Sequence, residues 1–209
     1  MPPRFSLELE KPTVFAGYLK YQSRTSPCEA ACPAGNPIQK VHSLIKEQRL
    51  EEALEYLKSR NPLSGITGRV CDHPCELECN RMNYDEALSI RALERFAADH
   101  ADRTKLRRPR RMEDTGKTLA VIGSGPAGMT CAYFSALFGH RVTVFEASAS
   151  LGGMPRIGIP DYRLPKSIVD REVGQILELG VTARTNTAVG RDIGFDAILD
   201  EYDLSLIHI

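Results

Sequence analysis

No stretch of this 209-residue chain approaches the ~20 consecutive apolar residues of a bilayer-spanning helix. Net charge is also absent: 27 Lys and Arg balance 27 Asp and Glu, so no global field favours nucleic acid or an anionic membrane. Met1 is followed by Pro-Pro-Arg and charged residues, with no apolar signal segment. With no export signal and several thiols to keep reduced, the expected location is the cytoplasm, and a disulfide framework is disfavoured. No internal repeat or low-complexity tract is evident. No Ser-His-Asp, Cys-His or paired-carboxylate arrangement points to chemistry performed by side chains, so any reaction belongs mainly to cofactors. What remains, at 42% hydrophobic and 26% charged residues, is a soluble globular chain of one or two domains. At this size it can bury roughly 70% of its potential surface.

Cysteine is concentrated instead. Five of the six cysteines fall in the first eighty residues, as Cys28-x-x-x-Cys32-Pro33 and Cys71-x-x-x-Cys75-x-x-x-Cys79. Residues four apart share one face of a helical turn, so such thiolates can converge on an inorganic cluster. Zinc is the competing ligand, but its structural sites favour two-residue gaps and paired Cys/His knuckles, whereas every gap here is three residues. Cys-Pro also closes the bacterial ferredoxin cysteine run. His73, in a loop beside a proline, reads as exposed.

Around these cysteines the apolar spacing predicts short amphipathic helices over Ile38 to Gln48, Leu50 to Arg60 and Leu88 to His100. Asn61-Pro62-Leu63-Ser64-Gly65 breaks the pattern. The expected organisation is a helical domain over 1–104, a basic linker over 105–116 and a nucleotide-binding domain over 117–209. Lys105 to Arg111 is the one concentrated basic stretch. It reads as a solvated tether extended by Pro109, with docking of an acidic partner or cofactor phosphate as the alternative. Nucleic acid is disfavoured because no aromatic residues interleave with the arginines.

The second half opens with Thr118 to Ile122, a buried-strand pattern, then Gly123-Ser124-Gly125-Pro126-Ala127-Gly128, an apolar helix to Phe138, and a strand Arg141 to Phe145 ending on Glu146. This is a complete dinucleotide fingerprint. Gly123 permits the tight turn, Gly125 lets a pyrophosphate approach the backbone, and Gly128 lets helix pack on strand. The helix N-terminus faces the phosphates, and Glu146 sits where a carboxylate can accept ribose hydroxyls. Between FAD and NAD(P), the following Leu151-Gly152-Gly153-Met154 favours FAD, by supplying flexible backbone where its pyrophosphate and ring could pass. Cys131, inside the helix, reads as a small buried hydrophobe. Further on, Lys166 to Leu179 and Phe195 to Tyr202 read as helices and Val181 to Arg184 as a strand. Alternating strands and helices predict a parallel sheet, so the fold class is α/β: an all-helical iron-sulfur domain, then an incomplete Rossmann-like FAD-binding domain.

Jointly, Cys28-Glu-Ala-Ala-Cys32-Pro33-Ala-Gly-Asn36, Thr67-Gly-Arg-Val-Cys71, Cys75-Glu-Leu-Glu-Cys79-Asn80, Gly123-Ser-Gly-Pro-Ala-Gly128 and Gly152-Gly153…Gly158-Ile-Pro160…Arg163-Leu-Pro-Lys166 resemble the small (beta) subunit of NADPH-dependent glutamate synthase. The resemblance runs from about Cys28 to Tyr202. The same module looks like the electron-entry half of dihydropyrimidine dehydrogenase and of several sulfur-metabolism and ferredoxin-linked oxidoreductases. It implies [4Fe-4S] in the helical domain and FAD on Gly123 to Gly128, Glu146, Gly152, Gly153 and Arg163. It also implies hydride supplied by NAD(P)H, and electrons leaving to a partner subunit such as the glutamate synthase large subunit. By the same resemblance, Cys32, Cys71, Cys75 and Glu94 match the ligands of one cluster; Glu94 by itself would read as a surface residue.

One departure concerns a second cluster. Other members carry a further cysteine pair just before the first motif, but Tyr18 to Pro27 contains none. One cluster is therefore easier to defend than two, and Cys28 and Cys79 either complete it or belong to a differently ligated one. No second glycine fingerprint appears before Ile209, where the family usually inserts its NAD(P)H domain. The chain is thus expected to be a fragment, inactive alone, with a natural minimal protein as the alternative. The functional alternatives are a non-catalytic cofactor-binding or zinc-stapled interaction module, or another NAD(P)H:acceptor oxidoreductase of the same family.

Overall fold

The computed structural model describes residues 25–101, 103–107 and 109–207. Tyr18 to Arg24 and Arg108, which figure in the expectations above, lie outside them.

Among the described residues, the first half holds six α-helices: α1 (Pro27–Ala31), α2 (Ile38–Lys46), α3 (Leu50–Lys58), α4 (Ser64–Val70), α5 (Pro74–Leu77) and α6 (Ile90–His100). α2, α3 and α6 bury Val41, Leu44, Ala53, Leu57 and Ala97 against one another, the stripes that their 3.6-residue periodicity predicts. α4 falls where the sequence reads as a break. It packs between α6 and the nucleotide half, and its C-cap residue is Cys71.

The second half is a parallel sheet of order β3-β2-β1-β4. Its strands are β1 (Thr118–Ile122), β2 (Arg141–Phe145), β3 (Thr182–Arg184) and β4 (Leu204–Ile207), alternating with α7 (Pro126–Leu137), α8 (Met154–Ile157), α9 (Lys166–Leu177) and α10 (Phe195–Glu201). β1 and β2 have the predicted bounds, and the order matches the 3-2-1-4 half of the dinucleotide-binding sheet. β4 was not expected; it pairs Leu119 with Leu204 and Ala120 with Ser205. One sheet face, Leu119, Val121, Val142 and Val144, packs on α7 and α9 through Met129, Ala132, Val173 and Ile176. The other face, Ala120 and Phe145, is covered by Ile198 of α10.

The halves share this core. Leu63 and Ile66, from the start of α4, are buried in the cluster formed by β1, α7 and α9; each such side chain contributes about 1.5–3 kcal/mol. The basic stretch between the halves keeps Arg110 and Arg111 exposed, but Leu106 packs against Leu54, Ala98 and Ala101, and the Arg107 amide donates to Glu55 at 2.7 Å. Beyond it, Met112 N donates to Leu137 O at 2.8 Å and Thr115 N to Gly139 O at 3.1 Å, so the connection lies along both halves. Among the described residues, no helix is long and apolar enough to cross a membrane.

Candidate functional site

The glycine turn joins β1 to α7, and its geometry follows from three contacts. Gly123 adopts φ +97°, a region L-residues rarely enter. A Cβ on Gly128 would stand 2.0 Å from Gly123 O and 3.2 Å from Val121 Cγ1, so only glycine lets α7 lie this close to β1. A Cβ on Gly125, by contrast, would meet nothing within 4 Å. Open space over Gly125, at the N-cap of a twelve-residue helix with Pro126 at its first position, suits an approaching phosphate. Pro126 and Ala127 are exposed there.

Ser124, fully buried, ties this turn to two further segments. Its amide and hydroxyl both donate to Glu146 Oε2, at 3.0 and 2.5 Å, and its Oγ accepts from Gly152 N at 3.0 Å. Glu146, just past β2, also accepts from Ser148 N at 2.8 Å. Burial pushes its pKa up, but the hydrogen bonds from Ser124 and Ser148 prevail and hold it below the ordinary value. The carboxylate stays ionised and oriented at the strand end. Gly152 and Gly153 have φ +120° and +55°, and a Cβ on Gly153 would lie 2.7 Å from Gly125 Cα. The second glycine pair therefore rests directly on the first turn. Arg163 is exposed in the loop between α8 and α9, near the exposed Met154, Ile157 and Tyr162 of the same segment.

In the helical half, Cys32 caps the end of α1, Cys71 caps α4, and Cys75 lies within α5. Cys75 is buried, and its thiol is pushed up to about 12, first by burial and then by the negative charge of Glu94, Cys32, Glu76 and Cys71. Residues 43 apart in sequence, Cys32 and Cys75, are thus within electrostatic reach. Glu94 is only 8% exposed, which corrects its reading as a surface residue. Burial pushes its pKa up, against a 2.9 Å hydrogen bond from Asn36 Nδ2. Ile90, Glu94 and Ala97 form one buried face of α6; a carboxylate on that stripe is the sequence signal for its position.

These donors fit an iron-sulfur cluster chemically. Each negative charge raises the cost of ionising the next, and iron supplies the compensating positive charge. Among the described residues, no group of three or more His, Cys, Asp or Glu stands close enough to hold a single metal ion.

Cys28 and Cys79 line a separate cleft of about 180 Å³ with Ser26, Gln39, His42 and Arg81. Ser26 Oγ lies 3.3 Å from Cys28 Sγ, while His42 Nε2 is buried without a hydrogen-bond partner. Cys28 nonetheless backs onto the first group, since Cys28 and Cys32 both pack against Ile38, Cys75 and Ile90. His73 is half-buried, not exposed, with Nδ1 3.4 Å from Glu76 Oε2. Cys131 is half-buried in α7, packed against the nucleotide-domain core as expected of a small hydrophobe.

Residues 21–106 match the family described as dihydropyrimidine dehydrogenase domain II, 4Fe-4S cluster, and residues 121–171 match an NAD(P)-binding Rossmann-like domain. The chain thus carries a match to an iron-sulfur domain followed by a match to a nucleotide-binding domain, one on each half of the fold. It is 42% identical to the beta subunit of an NADP(+)-dependent formate dehydrogenase of Moorella thermoacetica, over 88% of this chain and 29% of the relative. It is 37% identical to the beta subunit of an NADPH-Fe(3+) oxidoreductase of Geobacter sulfurreducens, over 86% and 27%. With the glutamate synthase [NADPH] small chain of Bacillus subtilis it shares 37% identity, over 85% and 36%. The chain therefore spans about a third of the length of these relatives.

Proposed function

We propose that this chain is the electron-entry portion of an NAD(P)H-linked oxidoreductase subunit. It binds FAD on the Ser124–Gly152 cradle and one [4Fe-4S] cluster on Cys32, Cys71, Cys75 and Glu94. The observation that carries this reading is the burial of Glu94 within electrostatic reach of Cys75, a thiol that Cys32 and Cys71 also reach. A carboxylate among thiols is unfavourable unless a cationic group joins them. FAD would supply the change from two-electron to one-electron chemistry. This chain's residues orient the nucleotide, keep Glu146 ionised toward the ribose, and leave the backbone at Gly125 clear for the pyrophosphate. Cys28 and Cys79 are proposed as further ligands, which either complete this cluster or belong to a differently ligated one.

The relatives named above are subunits of formate dehydrogenase, an Fe(3+) oxidoreductase and glutamate synthase. The electron acceptor is accordingly proposed as a partner subunit, with the glutamate synthase large subunit one candidate of that class. An anaerobic visible spectrum of the full-length protein, with iron, sulfide and flavin content per chain, tests the assignment. Flavin bands over a broad cluster absorption, with iron lost in Cys71→Ser, are expected. A colourless protein holding zinc, or unchanged iron in Cys71→Ser, would overturn it.

A further inference from the structure

We propose that α9 is the strut that fixes the spacing between the nucleotide turn and the cysteine group, with Val169 its contact to the nucleotide turn and Glu172 its contact to α4. The functional meaning of that spacing rests on the cofactor reading above; the mechanical coupling does not.

Val169 and Glu172 are three residues apart and so share a face of α9; both are fully buried. On the nucleotide side, a Cβ at Gly152 would stand 2.6 Å from Val169 Cγ1, and one at Gly153 2.7 Å from Gly125 Cα. From α9 to the phosphate turn there is thus no slack for even a methyl group. On the other side, Gly65 N and Lys58 Nζ both donate to Glu172 Oε2 at 3.3 Å, and a Cβ on Gly65 would be 2.9 Å from Glu172 Oε1. Gly65 lies in the first turn of α4, and α4 is capped at its end by Cys71. Arg171, next along α9, reaches Asp99 at 3.6 Å, the carboxylate that Arg69 of α4 holds with two bonds of 2.9 and 2.8 Å. α4, α6 and α9 are therefore clamped together.

A fully buried carboxylate is a weak device for stability, since an apolar side chain of similar volume often serves as well; its gain is directional. At an interface already sealed by Leu63 and Ile66, Glu172 adds a defined register between α9 and the N-terminus of α4.

Hydrogen exchange of the full-length protein tests the strut from both ends without reference to cofactors. In Glu172→Gln, amides of 65–71 and of 151–158 should lose protection together, each exchanging about tenfold faster, the scale of one lost charge-assisted hydrogen bond. Amides of 142–145 should be unchanged. Should Glu172→Gln fail to fold, Val169→Ala perturbs the opposite end and should speed exchange in 65–71. Loss of protection confined to the mutated end, or uniform across the chain, would overturn the proposal. In the loaded protein, electron transfer from flavin to cluster should slow in Glu172→Gln with iron and flavin content retained, and an unchanged rate would overturn the functional meaning of the spacing. Absence of iron or flavin from the unmutated protein would remove the cofactor reading and leave the exchange result standing.

Discussion

Replacing Ser124 by Ala tests whether one hydroxyl holds the nucleotide site together. The side chain is fully buried, donates to the Glu146 carboxylate at 2.5 Å and accepts from Gly152 N at 3.0 Å. Losing a hydrogen bond to a charged group costs about 1.5–3 kcal/mol, and a buried amide left unpaired about 1–3 kcal/mol. Glu146 would keep its bonds from Ser124 N and Ser148 N, so the combined loss should be about 2–4 kcal/mol. With a urea dependence of about 2 kcal/mol per molar, the unfolding midpoint should fall by about 1–2 M. The pH dependence adds a second signature. Because the Glu146 pKa is depressed in the folded state, its contribution is present above the unfolded carboxylate value and is lost as pH falls through the folded one. The hydroxyl supports that depression, so the gap between wild type and Ser124→Ala should be widest above about pH 5 and narrow below about pH 4. A difference under about 0.5 kcal/mol, or one independent of pH, would refute the assignment of Ser124 as the tie between Glu146 and Gly152.

Gly128→Ala places a methyl 2.0 Å from a backbone oxygen that cannot swing aside; we expect a loss of about 3 kcal/mol in chemical denaturation and weakened flavin binding by fluorescence titration. Arg69→Ala removes two hydrogen bonds from an arginine that is 7% exposed and leaves Asp99 with the longer contacts to Arg95 and Arg171, and should cost about 2 kcal/mol in thermal unfolding. At Glu94, substitution by Gln preserves an oxygen donor and should retain iron, whereas Glu94→Ala should lose it; equal iron in both variants counts against a ligand role.

The nucleotide half was largely legible because its signals are local. A four-residue apolar run, three glycines at fixed offsets and a terminal carboxylate define a strand-turn-helix-strand unit whatever surrounds it, and β1 and β2 appear with the expected bounds. α4 was not legible. Asn61 to Gly65 reads as a break, and Ser64-Gly-Ile-Thr-Gly-Arg-Val, which overlaps it, holds two glycines, each costing about 1 kcal/mol in a helix. The structure supplies the missing reason: a Cβ on Gly68 would lie 3.0 Å from the Arg95 backbone and one on Gly65 2.9 Å from Glu172. The helix forms because close packing against α6 and α9 outweighs its poor propensity, and those partners are too distant in sequence to predict. β4 escaped for a related cause, since four residues carry little pattern until β1 offers them an edge.

Two glutamates, Glu94 and Glu172, are buried among the described residues, and both sit on apolar helical stripes where periodicity calls for a hydrophobe. Their surroundings differ in sign. Glu172 faces Lys58 at 3.3 Å, Arg103 at 3.7 Å and Arg171 at 3.9 Å, so its charge is compensated within the protein and its role is structural. Glu94 takes one hydrogen bond from the neutral amide of Asn36, and Glu76 raises its pKa further, while its own charge helps push up the Cys75 thiol. Burying an ionised carboxylate costs several kcal/mol unless a cation balances it. The protein meets that cost at Glu172 with its own side chains. At Glu94 it gathers further acidic groups, an arrangement suited to receiving a cationic centre from outside the polypeptide, and iron bound by Cys32, Cys71 and Cys75 would complete it.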